Sequence, residues 1–312
     1  MLRSYLLAFR FITLALIQLL LIHPGNAQQL ADVPWAFKAI NDKPQVLHLK
    51  KNAFKIPAGG HLQGIQCLGG NNIVITASSD SYSYYLTGQL SDETGKGEIT
   101  SLHKIADSPY RHAGGCQVSG NKLVVGIEDN QEKDKSQIVM ISFDESTKQN
   151  GRRVIARRQG SVKRSTAGAV GFTKTFTGQC LIAAGDWDSR NIDFYISRKG
   201  NDTLLDSITT FHVPDYAKWP SYQALNLLID SAGNIYLIGF ALDGFNNLAD
   251  LFRVEFKDEK TNLVLCNTRN FKCRGGAGFR YGSGIYVTPD GRLTIYSCGR
   301  NATQRTPINI FR

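Results

Sequence analysis

The chain is a succession of short segments in which apolar and polar residues alternate, set off by glycine-containing turns. Residues 111–127 show the unit most clearly: a loop ending in His112, a short strand, the turn Ser119-Gly120-Asn121, then the apolar strand Leu123-Val124-Val125. A turn of this kind with an apolar strand after it occurs at Gly70, Gly120, Gly178, Gly233 and Gly291, spaced 50, 58, 55 and 58 residues apart. That period belongs to blade-like units.

Each turn follows a strand rich in small residues, at 63–68, 114–118, 168–172, 223–229 and 283–288, as suits strands crowded around an axis. A third strand follows at 82–90, 137–143, 192–197, 248–256 and 308–311; the alternation Leu251-Phe252-Arg253-Val254-Glu255-Phe256 marks one buried and one wet face. A fourth, more polar strand completes the first four units at 98–105, 153–157, 205–211 and 263–267. The fifth unit ends at Arg312 without one, and residues 45–50 can supply it from the other end of the chain. The predicted fold is therefore all-β, a single five-bladed β-propeller of four-stranded antiparallel blades, with the ring closed by an N-terminal strand that completes the C-terminal blade.

This arithmetic resembles the five-bladed β-propellers, a superfamily that includes tachylectin-type lectins and glycosidases of the arabinanase and levansucrase kind. The resemblance is one of architecture and covers nearly all of the chain after residue 27. No Trp-Asp or Gly-His signature of the WD repeat is present.

Ahead of the propeller, at 43–312, lie two further segments. Residues 1–27 have the layout of a signal peptide, with Arg3 and Arg10 before an apolar run at 11–22 and small residues up to Ala27. Residues 28–42 form an extension whose Trp35 and Phe37 are expected to pack on the body. A secreted or periplasmic protein follows from this reading, with no transmembrane segment after cleavage, and a monomer is expected.

The net charge of +10 falls to +8 when Arg3 and Arg10 leave with the leader. No segment combines dense Lys/Arg with interleaved aromatics, which argues against nucleic acid, and the run Arg152-Arg153 to Arg157-Arg158 reads as the solvent face of an outer strand. Six cysteines are too few to make the fold possible. Cys266 and Cys273 enclose a polar loop at 267–272 and are the disulfide candidate; Cys67, Cys116, Cys180 and Cys298 fall inside strands, as buried thiols do. Two sequons, at Asn201 and Asn301, matter only on a eukaryotic secretory route.

In such a meander the connections before the first strand and after the second emerge on one face, where a ligand should bind. The first set contributes His61, Gln63, Arg111, His112, Thr166, Tyr222, Gln223, Arg280 and Tyr281, with His61, His112, Thr166, Tyr222 and Tyr281 equivalent around the ring. The second set contributes Glu128, Asp129, Asp186, Trp187, Asp188, Asp243 and Arg300. Histidines and tyrosines at a channel mouth make a polar, aromatic pocket, although repeats also keep such residues to lock blades together. Asp186-Trp187-Asp188 sets an aromatic plane between two acids, which suits stacking on a sugar while bonding its hydroxyls; turns favour Asp for backbone reasons alone.

Two function classes follow. The preferred one is an exported binding or interaction protein that recognises a polar small molecule, glycan or protein partner on this face. The alternative is catalytic, a hydrolase of a glycan or phosphoester, with His61, His112, Asp186 and Asp188 as acid, base or ligands of a divalent cation. The five-bladed glycosidases present carboxylates from the start of their innermost strands, where this chain has His, His, Thr, Tyr and Tyr, and glycoside hydrolysis normally needs two carboxyl groups at a fixed separation.

Overall fold

The computed structural model describes residues 29–51, 55–91, 94–143 and 151–312. The proposed leader lies outside these residues. Strands dominate, beginning with the two-residue β1 (Gln29–Leu30), and the single α-helix among the described residues is α1 (Val33–Ala39).

Consecutive strands pair antiparallel in groups. The first holds β3 (Leu62–Gly69), β4 (Asn72–Ala77), β5 (Tyr82–Ser91) and β6 (Lys96–Asp107). The second holds β7 (His112–Ser119), β8 (Lys122–Glu128), β9 (Lys135–Ser142) and β10 (Gly151–Gln159). Next come β11 (Ala169–Lys174), β12 (Cys180–Gly185), β13 (Asn191–Arg198) and β14 (Asn201–His212). A further group contains β15 (Ala224–Asp230), β16 (Ile235–Asp243), β17 (Asn246–Lys257) and β18 (Lys260–Phe271). Finally β19 (Ala277–Val287), β20 (Leu293–Gly299) and β21 (Thr306–Phe311) are extended by β2 (Gln45–Lys51), whose Gln45 lies opposite Ile310 and Leu49 opposite Thr306.

The cores lie between neighbouring groups, and the two-residue period of a strand decides which neighbour each side chain meets. On β8, Leu123, Val125 and Ile127 pack toward Val74 and Tyr85 of the first group, while Val124 packs toward Val170, Phe172 and Ile182 of the third. Inner strands are thus buried on both faces, which explains their unbroken apolar runs. Another core sets Ile65, Ile75 and Leu86 of the first group against Leu47, Leu49, Ile308 and Ile310.

Small residues on the first strands allow close approach. A Cβ on Gly114 would stand 2.0 Å from the Gly168 carbonyl oxygen, and one on Gly284 1.9 Å from that of Ile65. Buried amides span the same region. Gln117 Nε2 donates to the Leu227 carbonyl at 2.7 Å, and its Oε1 accepts from the Phe172 N–H at 2.7 Å and the Leu227 N–H at 2.6 Å.

Helix α1 is capped by Asp32, whose Oδ1 accepts from Trp35 N–H at 2.8 Å, and its last carbonyls accept from Arg269. Phe37 enters the core beside Phe271 and Phe311, but Trp35 is 70% exposed, contrary to expectation. Two residues on a helix are about 200° apart, so one side chain facing the core turns the other to solvent.

The Cys266–Cys273 disulfide is also corrected: all six cysteines are free. Residues 267–271 are not a loop but the end of β18, paired with β17 through Phe271 opposite Asn247. Extended backbone puts about 16 Å between residues 266 and 271, and a disulfide needs Cα atoms within about 7 Å.

Candidate functional site

A pocket of about 310 Å³ opens where the connections into β3, β7, β11, β15 and β19 meet those leaving β8, β12 and β20. Its lining includes His61, Gln63, His112, Glu128, Asp186, Trp187, Asp188, Tyr222, Gln223, Arg280, Tyr281 and Arg300 from the sequence-based set, with Asn130 and Gly168.

Four of the expected residues do not line it. Arg111 donates to the Asp80 carbonyl and to Gln131 Oε1, tying two connections together. Asp129 Oδ1 accepts from the N–H groups of Gln131 and Glu132, the turn-capping role of aspartate. Asp243 sits at the tip of the β16–β17 hairpin, opposite Asn246. Thr166 is buried and donates to the Lys163 carbonyl at 2.6 Å.

The histidines form one network. Gln63 Nε2 lies 2.7 Å from His112 Nε2 and 3.3 Å from His61 Nε2. An amide nitrogen only donates, so in this arrangement both ring Nε2 atoms accept and the ring protons sit on Nδ1. His61 Nδ1 then faces its partner, the Leu62 carbonyl, at 3.2 Å. His112 Nδ1 stands 3.0 Å from Glu128 Oε1, an ion-pair distance, with its N–H off the line of a hydrogen bond. Glu128 is fully buried and its Oε2 accepts from the Ala167 N–H at 2.9 Å. Burial, then the charges of His112, Arg300 and Arg280, push the His61 pKa down, so its neutral form is favoured.

The Asp186–Ser189 segment shapes another part of the lining. Asp186 accepts from Asn191 N–H at 2.8 Å and from Asn191 Nδ2 at 2.5 Å, while burial outweighs these bonds and raises its pKa. Asp188 and Ser189 have φ of 64° and 53°, a left-handed turn that carries Trp187 and Asp188 into the pocket lining. Lys133 Nζ lies 4.1 Å from the Trp187 ring centre, and Arg190 is 3.8 Å from Asp188.

Two supporting clusters gave no signal in the sequence. The Tyr222 hydroxyl donates to Asp250 Oδ2 at 2.5 Å, and burial followed by that carboxylate drives its pKa far up, so it acts as a neutral wall. Arg158, expected on the solvent face of an outer strand, is buried and meets Asp193 at 2.7 Å beside a fork from Arg164. A register shift between Val154 and Ala156 interrupts the alternation of β10 ahead of it. Gly168 did carry a signal, since glycine in a strand often marks close backbone approach.

Among the described residues no three His, Cys, Asp or Glu side chains come together at metal-binding spacing. His61, His112, Asp186 and Asp188 therefore do not form a metal-ligand set.

No family model matches the sequence, and neither does any curated protein. Solved structures do. The α-L-arabinanase of Penicillium chrysogenum, complexed with arabinobiose, matches with a TM-score of 0.53 at 8% identity over 86% of this chain and 97% of that one. A GH43 endo-arabinanase from Bacillus licheniformis gives 0.51 at 13% over 84% and 96%. A GH43 β-xylosidase/α-arabinofuranosidase from a compost metagenome gives 0.50 at 10% over 81% and 92%. The chain spans 62% of the exo-β-1,3-galactanase of Clostridium thermocellum, at a TM-score of 0.49 and 11% identity. At these identities the likeness is one of fold. The fold is a β-propeller.

Proposed function

We propose that this chain is an exported propeller of five blades, closed by β2 on β21, that hydrolyses a glycan in the pocket described above. The observation that carries this reading is the pairing, across one pocket, of His112 backed by Glu128 with the Asp186-Trp187-Asp188 segment. The arabinanase-like fold of the solved structures favours a glycan over other polar ligands and ranks hydrolysis above binding alone.

Cleaving a glycosidic bond requires a proton for the departing oxygen and a base for the attacking water. Burial favours the protonated form of Asp186, which suits a donor. His112 has Glu128 behind its Nδ1, and in the base role its Nε2 gives up the Gln63 amide, takes a proton from water, and is stabilised as a cation by that carboxylate. Trp187 supplies a surface for a sugar ring and Asp188 an acceptor for its hydroxyls.

A second reading, recognition without cleavage, is favoured by one feature. Each acid of the pocket already has a partner: Glu128 in Ala167 and His112, Asp186 in Asn191, Asp188 in Arg190.

The test is a panel of neutral and acidic oligosaccharides, followed by new reducing ends and by thermal shift. Hydrolysis predicts turnover that falls at least about 100-fold in His112→Asn and Asp186→Asn, with the fold retained by circular dichroism. A ligand-induced thermal shift with no turnover on any glycan selects recognition alone. Absence of both refutes the glycan assignment.

A further inference from the structure

The charges lining the pocket are distributed unevenly. Its acids are Glu128 from β8 and Asp186 and Asp188 from the segment after β12, and the cations beside that segment are engaged, Arg190 by Asp188 and Lys133 by the Trp187 ring. The part of the lining carried by the last and first strand groups holds His61 before β3, Arg280 and Tyr281 on β19, and Arg300 after β20. Among the described residues neither Arg280 nor Arg300 has a carboxylate within ion-pair distance or a side-chain hydrogen bond. Both guanidinium groups nevertheless act on His61.

This wall is held in place. Arg300 lies 6.0 Å from the centre of the Tyr281 ring, its backbone carbonyl accepts from Leu62 N–H at 2.8 Å, and Tyr281 stands edge-on to His61 at 6.4 Å. His61 and Arg300 also line a second cavity of about 350 Å³, which has no Asp or Glu in its lining. Two arginines without an ion-paired carboxylate therefore line the pocket, and one of them also borders an adjoining space whose nearest acid, Asp80, lies against Gly59. A guanidinium fork matches the planar oxygens of a carboxylate and the tetrahedral oxygens of a sulfate.

We propose that Arg280 and Arg300 hold an anionic group of the sugar, so that the pocket selects an acidic glycan over a neutral one, with the following unit of the chain in the second cavity. This rests on the reading of the pocket as a glycan site.

The experiment measures affinity by titration calorimetry for galacturonate oligomers, sulfated galactan oligomers and neutral galactan oligomers of equal length. The protein is the whole chain as wild type, Arg280→Gln, Arg300→Gln, Trp187→Ala and the distal double variant Arg152→Gln/Arg157→Gln on β10. At least one acidic series should bind about tenfold or more tightly than the neutral one, and each pocket arginine variant should lose about tenfold on that series with little change on the neutral one. Trp187→Ala should weaken both, and the distal variant neither. Whichever acidic series binds tighter identifies carboxylate or sulfate as the group recognised.

His61 provides an independent readout. It faces His112 on β7, Arg280 and Tyr281 on β19, Arg300 after β20, and Gln63 on its own strand. An anion between the arginines cancels their repulsion of a protonated ring, so the His61 titration followed by NMR moves up when the acidic ligand is bound. Equal affinity for neutral and acidic glycans overturns the inference while leaving the glycan site standing. Equal losses from the distal and pocket variants assign the preference to general attraction by a basic surface and overturn it too. If no glycan of any series binds, both the inference and the glycan reading fall.

Discussion

Replacing Gln117 with leucine tests whether buried amides hold the innermost strands together beneath the pocket. Its side chain, on β7, satisfies three backbone groups of other strands: the Leu227 carbonyl, the Leu227 N–H and the Phe172 N–H. All of this lies out of contact with water, since Gln117 is 0% exposed. A buried polar group left without a partner costs about 1–3 kcal/mol, so three cost about 3–9 kcal/mol. The apolar side chain recovers about 1–2 kcal/mol by burial, and we expect a net loss of about 4 kcal/mol. Unfolding entropy near 2.1 cal/mol/K per residue gives roughly 0.6 kcal/mol/K for a chain of this size, so Tm should fall by about 7 °C. Calorimetry of Gln117→Leu beside Gln89→Leu, an exposed amide bonded to Asn72, measures the difference; the control should move by less than about 1 °C. A fall below about 2 °C for Gln117→Leu would show that the backbone groups find other partners and would refute this account of the axis.

Three other outcomes follow from the same geometry. Gly126→Ala brings a Cβ to 1.8 Å from the Ala167 carbonyl oxygen, so it should cost about 1–3 kcal/mol in thermal unfolding and, by displacing the Ala167 N–H bound to Glu128, lower any activity as well. Burial opposes the charged form of Asp193, but Arg164 and Arg158 outweigh it and hold its pKa down; the stability it contributes is present above the unfolded carboxylate range near 4 and is lost as pH falls through the folded value. Asp193→Asn should therefore cost about 3–5 kcal/mol at pH 7 by leaving Arg158 unpaired, and thermal melts should show the gap to wild type closing toward pH 3. Reductant should leave Tm unchanged, and in a thiol titration Cys266 should react first, while Cys116, its pKa pushed up to about 12 by burial, should react only on unfolding.

The strand groups were legible because two independent signals agree, a glycine turn every 50 to 58 residues and a two-residue alternation on either side of it. Both report local backbone demands, which short segments carry by themselves. The errors fall where a distant partner decides. The loop expected at 267–272 is polar enough for a turn, but β17 is long enough to pair with it as far as Phe271. Arg158 sits among exposed arginines and nothing nearby in sequence announces Asp193, whose carboxylate takes it out of solvent. Trp35 and Phe37 both look like core residues, and only the helix between Asp32 and Ile40 separates their directions.

The pocket shows the same division at the level of chemistry. Twelve of its residues were legible in the repeat, because equivalent positions in successive groups converge on one face. Alignment could not say what each residue does there, since equivalence of position does not imply equivalence of partner. His61 and His112 are equivalent in the repeat, yet His61 faces two arginines and its own backbone while His112 faces the buried Glu128. Tyr222 and Tyr281 are equivalent, yet one hydroxyl is committed to Asp250 while the other ring stands beside Arg300. The repeat therefore supplies a ring of similar positions, and the residues packed behind them break its symmetry, leaving acids with partners and arginines without a carboxylate in one pocket. On the proposed reading, a ligand that fits this lining offers hydroxyls to the acids and an anion to the arginines, and a neutral sugar leaves the second unmet.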